Sequence, residues 1–145
     1  MPFQFKMQKV LDYREQLEEE AKVDLALKQR LLEDARALFE RLKEELRQSE
    51  DRLFQSALAP QGERWLMEQY VKGLKGDVAN AALQARMHEQ LVDEARKLLA
   101  ARAIERKLLE KLKERQNQQY LREEQLKEQR VNDETATLRY KAPAL

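Results

Sequence analysis

Leu25, Leu32, Phe39, Leu46 and Leu53 stand seven residues apart, and no Gly or Pro falls between Phe3 and Ser56. A seven-residue apolar repeat leaves a chain few options. It draws one narrow stripe along a helix, and winding at 3.5 residues per turn keeps that stripe facing a single partner. The stripe also takes in Phe3, Met7, Val10, Leu17, Ala21, Ala35, Leu42 and Ser49. Leu17, Ala21 and Leu25 follow one another by fours, which reads as a stutter that locally unwinds a supercoil. Pro2 sits where a helix start tolerates a missing N–H.

The repeat breaks at Ala57-Leu58-Ala59-Pro60-Gln61-Gly62, where Pro and Gly favour a turn. A second stripe follows through Met67, Val71, Leu74, Val78, Ala81, Ala85, Val92, Ala95 and Leu99. A face shifted by a few residues carries it on through Leu98, Leu109, Leu112 and, weakly, Leu126. Gly73 and Gly76 soften the start of this helix, each by about 1 kcal/mol relative to Ala. Beyond Asp133 the pattern fades, and Pro143 closes any helix. The expectation is an all-α chain, two long helices in an antiparallel coiled-coil hairpin. Its bounds are helix one about 3–57, turn about 58–62 and helix two about 63–137, within a single elongated, monomeric domain covering 1–145.

A turn near residue 60 sets the register: facing residues should have numbers adding to roughly 120. Glu15, Glu18, Glu19 and Glu20 then lie level with Arg102, Arg106 and Lys107, a charge match that played no part in placing the turn. The same charges could instead be two solvated faces. The second helix outlasts the first, leaving roughly Gln118 to Thr137 unpartnered, and a lone helix in water is marginal. Its Tyr120, Leu121, Leu126 and Val131 ask for a partner.

Composition agrees with a narrow seam. Charged residues make up 38% of the chain and aromatics 6%, too few large apolar groups for a three-dimensional core. The 28 basic and 27 acidic side chains nearly cancel, so no long-range pull on nucleic acid or anionic lipid is expected. Arg96 to Arg115 holds eight Lys/Arg, but three Glu interrupt it and no aromatic is interleaved, unlike a nucleic-acid groove. No Cys is present, which excludes disulfides and thiolate chemistry. No apolar run could span a bilayer, and the opening residues lack the layout of a secretory signal. A cytoplasmic protein is expected.

Enzyme signatures are missing in turn. His88 is the one histidine, which leaves neither a His-based metal site nor a catalytic triad easy to build; it reads as a seam or surface residue. Gly73-x-x-Gly76 lies in a helical pattern and matches no phosphate-cradling loop. Carboxylates on an open helix surface stay solvated, and general acid–base chemistry needs a pocket. No enzyme, cofactor or metal is expected. Trp65, Met67, Tyr70 and Val71 cluster just past the turn, where two helices cannot bury every large side chain. Trp65 reads as a cap folded over Leu58. Tyr70 and Leu74 read equally as such a cap or as an anchor for another protein.

The opening Phe3-x-Phe5-x-x-x-x-Val10-Leu11-x-x-Arg14-x-x-Leu17-Glu18 resembles the start of the FliJ family of flagellar type III export proteins. So does the run Glu105 to Arg115 followed by Tyr120, Glu124, Glu128 and Asp133-Glu134. The resemblance covers essentially the whole chain. It implies a cytoplasmic stalk of the flagellar export apparatus that enters the pore of the hexameric export ATPase, binds the cytoplasmic part of the membrane export gate, and escorts substrate chaperones. Gate contact in the family involves an aromatic-aliphatic-x-x-Leu segment after the turn. Here it matches Tyr70-Val71-Lys72-Gly73-Leu74, with Leu42 and Leu46 as cross-helix neighbours. ATPase contact is expected at Phe3, Phe5, Tyr120 and Leu126. An injectisome stalk would have the same shape, and a scaffolding coiled coil would need only the stripe.

Overall fold

The computed structural model describes residues 2–141; Pro143, expected to end the second helix, lies outside the described residues. Two helices account for nearly all of them: α1, Gln8–Gln55, and α2, Gln61–Lys141. The described residues contain no strand. The fold is all-α, two long antiparallel helices packed on each other.

α1 begins five residues later than the apolar spacing suggested. Residues 2–5 lie outside any helix, and the helix is entered through a turn in which the Phe5 carbonyl accepts from Gln8 N–H at 3.1 Å. Helical spacing therefore does not govern the first stripe members. Met7 and Val10 are exposed, and Phe5 and Leu11 are buried in their place. At the other end, Ser56 satisfies two terminal carbonyls: its N–H donates to Arg52 O at 3.0 Å and its Oγ to Leu53 O at 2.8 Å. The Pro60 carbonyl accepts from Arg64 N–H at 3.1 Å, so proline stands at the cap of α2. Gly62, expected in the turn, is already helical, and no described residue has a positive φ. Arg52 in the last turn of α1 and Glu63 in the first of α2 carry the signs that the helix dipole favours.

The chain divides into two compact units, one from Glu19–Ala100 and the other from the residues up to Glu18 together with those from Ala101 on. The Glu19–Ala100 unit is a complete helical hairpin. Its interior takes Ala21, Leu32 and Ser49 from α1, and Val71, Leu74, Ala81, Ala85, Val92 and Ala95 from α2. Leu25, Phe39, Leu42, Leu46 and His88 are half-buried along the same faces. Arg36 pairs with Glu89 at 2.9 Å and Lys75 with Glu50 at 3.9 Å across the helices, and Tyr70 donates to Glu45.

In the other unit the seam is largely charged. Glu18 is buried and takes a hydrogen bond from Arg106, which also holds Glu110 at 2.8 Å. Arg14 reaches Glu105 at 2.8 Å, and Arg102 meets the same oxygen at 3.4 Å. The Glu18 and Arg106 pair is the expected one; Arg14 with Glu105 is its reverse in sign and was not foreseen. In both units the cross-helix pairs have residue numbers adding to 115–125, around the expected 120.

Glu18 also removes the stutter. Leu11, Arg14, Glu18, Ala21, Leu25, Lys28 and Leu32 run in alternating steps of three and four, all buried or half-buried. The heptad is unbroken, but charged side chains fill three of its places, so an apolar reading slid onto Leu17. On α2, Arg102 and Arg106 likewise hold the positions after Leu99, and Leu98 is exposed. The face does not shift.

Candidate protein-binding surfaces

The hairpin turn gathers apolar groups that the two helices leave uncovered. Phe54, Leu58, Trp65, Leu66 and Tyr70 are all exposed there. Leu58 is fully so, which rules out the expected cap of Trp65 over it. Trp65 instead lines a shallow hollow with Ala57, Ala59 and Arg64. A second groove, of about 260 Å³, lies between the helices and is lined by Ser49, Arg52, Leu66, Met67 and Tyr70. It is open and below the roughly 300–1,000 Å³ of a small-molecule site, and suits an inserted side chain better.

The four residues expected at this surface separate. Tyr70 is half-exposed, and its ring is pinned by the hydroxyl's bond to Glu45. That bond, helped by partial burial and by the charge of Glu45, raises the phenol above its usual pKa. Leu74 is buried in the seam, whereas Leu42 and Leu46 are half-buried. Tyr70 therefore presents a face, and Leu74 holds up the helix behind it. Leu66, four residues before Tyr70 and exposed beside the groove, belongs to the surface; its place off the seam register was the sequence signal for it.

In the other unit, Phe3 is half-buried against Tyr120, with ring centroids 5.8 Å apart and planes tilted by 44°. Such tilted aromatic pairs favour the quadrupole arrangement of the two rings. Phe5 is buried. Phe3 thus closes the N-terminal segment onto α2. Leu126 is exposed, and every residue from 125 to 140 is exposed with it, including Val131, Leu138 and Tyr140. This final stretch of α2 touches no seam. Its Thr137 Oγ1 donates to the Asp133 carbonyl at 2.8 Å, a bond internal to the helix.

Among the described residues no cluster of His, Asp or Glu could hold a metal ion, and no helix is long and apolar enough to cross a membrane. What the two surfaces offer is apolar contact area flanked by charge, the chemistry of a protein partner. The family model described as Flagellar FliJ protein matches residues 3–144, nearly the whole chain. The chain belongs to the FliJ family. That membership gives it a part in flagellar protein export, as a member of a family of non-enzymatic export components. No curated protein and no solved structure matches it.

Proposed function

We propose that this FliJ-family chain is a stalk and chaperone-escort component of the flagellar export apparatus. In this reading it works in the cytoplasm at the inner face of the membrane, without inserting, and catalyses nothing itself. The exposed stretch of α2 from residue 125 engages the hexameric export ATPase, with Phe3 and Tyr120 fixing the base from which it extends. The surface of Tyr70, Leu66 and the groove beside them engages the cytoplasmic part of the export gate. The observation that carries the reading is that α2 continues, fully helical and fully exposed, through residues 125–140. A helix with nothing to pack against is marginal in water, and a ring pore supplies the missing surround. Such a stalk raises ATPase activity by binding the assembled ring in preference to free subunits.

The test separates the two surfaces. Deleting the residues after Glu124 removes, among those whose burial is described, only exposed positions and should abolish stimulation of the ATPase while leaving gate binding intact. Tyr70→Ala with Leu66→Ala should do the reverse, with helicity unchanged. Leu74→Ala is unsuitable, because it opens a cavity in the seam. Stimulation lost in the turn variant and retained in the deletion would reverse the assignment of surfaces.

A further inference from the structure

Among the described residues Glu18 is the one charged side chain that is buried, at 7% exposed. It holds a seam position of α1 and takes a hydrogen bond from Arg106 of α2, which also holds Glu110 at 2.8 Å. Beside it Arg14 reaches across to Glu105 at 2.8 Å, so two charged layers of opposite polarity stand together in the seam. No buried side-chain N or O among the described residues lacks a partner. An ion pair in such a place adds little net stability, because desolvating the two charges offsets most of their attraction. What it can do is reject other arrangements.

The rest of the hairpin rejects them poorly. A heptad seam repeats, so helices can slide by seven residues and still set apolar groups together. In the Glu19–Ala100 unit Leu74 is level with Leu46, and such a slide sets it level with Leu53 or Phe39 instead, apolar each time. The turn does not forbid the slide. No residue in it has a positive φ, and Pro60 and Gly62 would let it form slightly later in the chain. The cross-helix pairs Arg36 with Glu89 and Lys75 with Glu50 are exposed, and exposed pairs hold weakly.

The charged layers respond differently. A slide of seven residues sets Arg106 level with Leu25 in one direction and with Leu11 in the other, in place of Glu18. Its guanidinium would then keep only Glu110, on its own helix. A buried charge that loses its partner is strongly unfavourable. We infer that Glu18 and Arg106, supported by Arg14 and Glu105, form a register lock. They select one alignment from several that the apolar seam would accept, as single polar positions do in other coiled coils. The alignment they select fixes how far α2 runs on past the start of α1. The inference does not depend on the export reading.

The chain has no Cys, so spin labels can be placed through Lys9→Cys and Arg122→Cys, one exposed position on each helix. Double electron–electron resonance on the labelled full chain should give a single interspin distance. Adding Glu18→Leu with Arg106→Leu should produce a second population, displaced by up to about 10 Å, the rise of seven helical residues. Helicity and the melting midpoint should not fall. Arg36→Ala with Glu89→Ala, which breaks an exposed pair, should leave the single distance. One unmoved distance in the Glu18→Leu, Arg106→Leu chain would overturn the inference, because the register would then be set elsewhere. A lowered midpoint there would also overturn it, by making the pair a source of stability. So would a second population in the Arg36→Ala, Glu89→Ala chain, which would spread the role over exposed pairs.

Discussion

The Tyr70 hydroxyl has one fixed partner, and its behaviour with pH follows from that. As a neutral phenol it donates to the Glu45 carboxylate; as a phenolate it would face that carboxylate with nothing to donate. Glu45 therefore holds the Tyr70 pKa above its ordinary value in the folded chain. A group whose folded pKa is raised stabilises the fold below its unfolded pKa, here about 10, and that contribution disappears as pH rises through the folded value. Glu45→Gln should let Tyr70 ionise earlier. The difference in phenolate absorbance between the parent and its Tyr70→Phe variant isolates this one group, and the same difference measured in the Glu45→Gln background should shift to lower pH. An unmoved curve would mean that the bond does not form in solution. Sequence could place Tyr70 just past the turn but could not choose its partner. Glu44 and Glu45 are adjacent and chemically alike, and only the flank geometry gives one to Arg47 and the other to Tyr70.

Helix α2 shows how far an apolar pattern carries and where it stops. Val71, Leu74, Ala81, Ala85, Val92 and Ala95 were legible because they are apolar at seam spacing, and all are buried. Arg102 and Arg106 occupy the next seam positions; they were expected level with Glu15 to Glu20, and Arg106 does meet Glu18, but neither was counted as part of the seam, because an apolar pattern does not register an ion-paired core. The same blindness on α1 turned Glu18 into a stutter. Leu27 and Met87, exposed and off the seam, drew no notice for the converse reason: a single stripe discounts apolar residues outside it. Gly73 and Gly76 were read as soft points, and the structure gives them no packing role. A Cβ built on either meets nothing within 4 Å, and neither has a positive φ. Alanine at each should therefore stabilise by about 1 kcal/mol. Over a domain of this size that amounts to about 2–8 °C in the melting midpoint per site. A fall in the midpoint on Gly73→Ala would reveal a close approach that the helix pair does not show.

For the whole chain, the contrast between its two units decides which part opens first. The Glu19–Ala100 unit is held by an apolar seam, whose strength depends little on ionic strength. The unit containing both described termini relies on Glu18, Arg106 and Glu110 and on Arg14, Glu105 and Arg102. Part-exposed ion pairs of this kind contribute modestly and are screened by salt, whereas the nearly buried Glu18 is costly to leave unpaired. Raising ionic strength from about 0.01 M to about 1 M shortens the screening length from roughly 30 Å to roughly 3 Å. Amide exchange at residues 11–18 and 101–110 should then accelerate severalfold. Exchange at residues 28–49 and 71–95 should stay nearly constant, because local opening energies differ from one cooperative region to the next. Hydrogen exchange followed by peptide mass spectrometry at the two salt concentrations reads both regions in one experiment. Uniform acceleration along the chain would mean that the units open together; acceleration confined to 71–95 would contradict the assignment of the charged seam as the weaker one. A unit that loosens with screening is also the one carrying the exposed end of α2. Its docking on a partner should therefore rigidify residues 11–18 as well as the residues it touches, and the same exchange measurement would detect that protection in the bound chain.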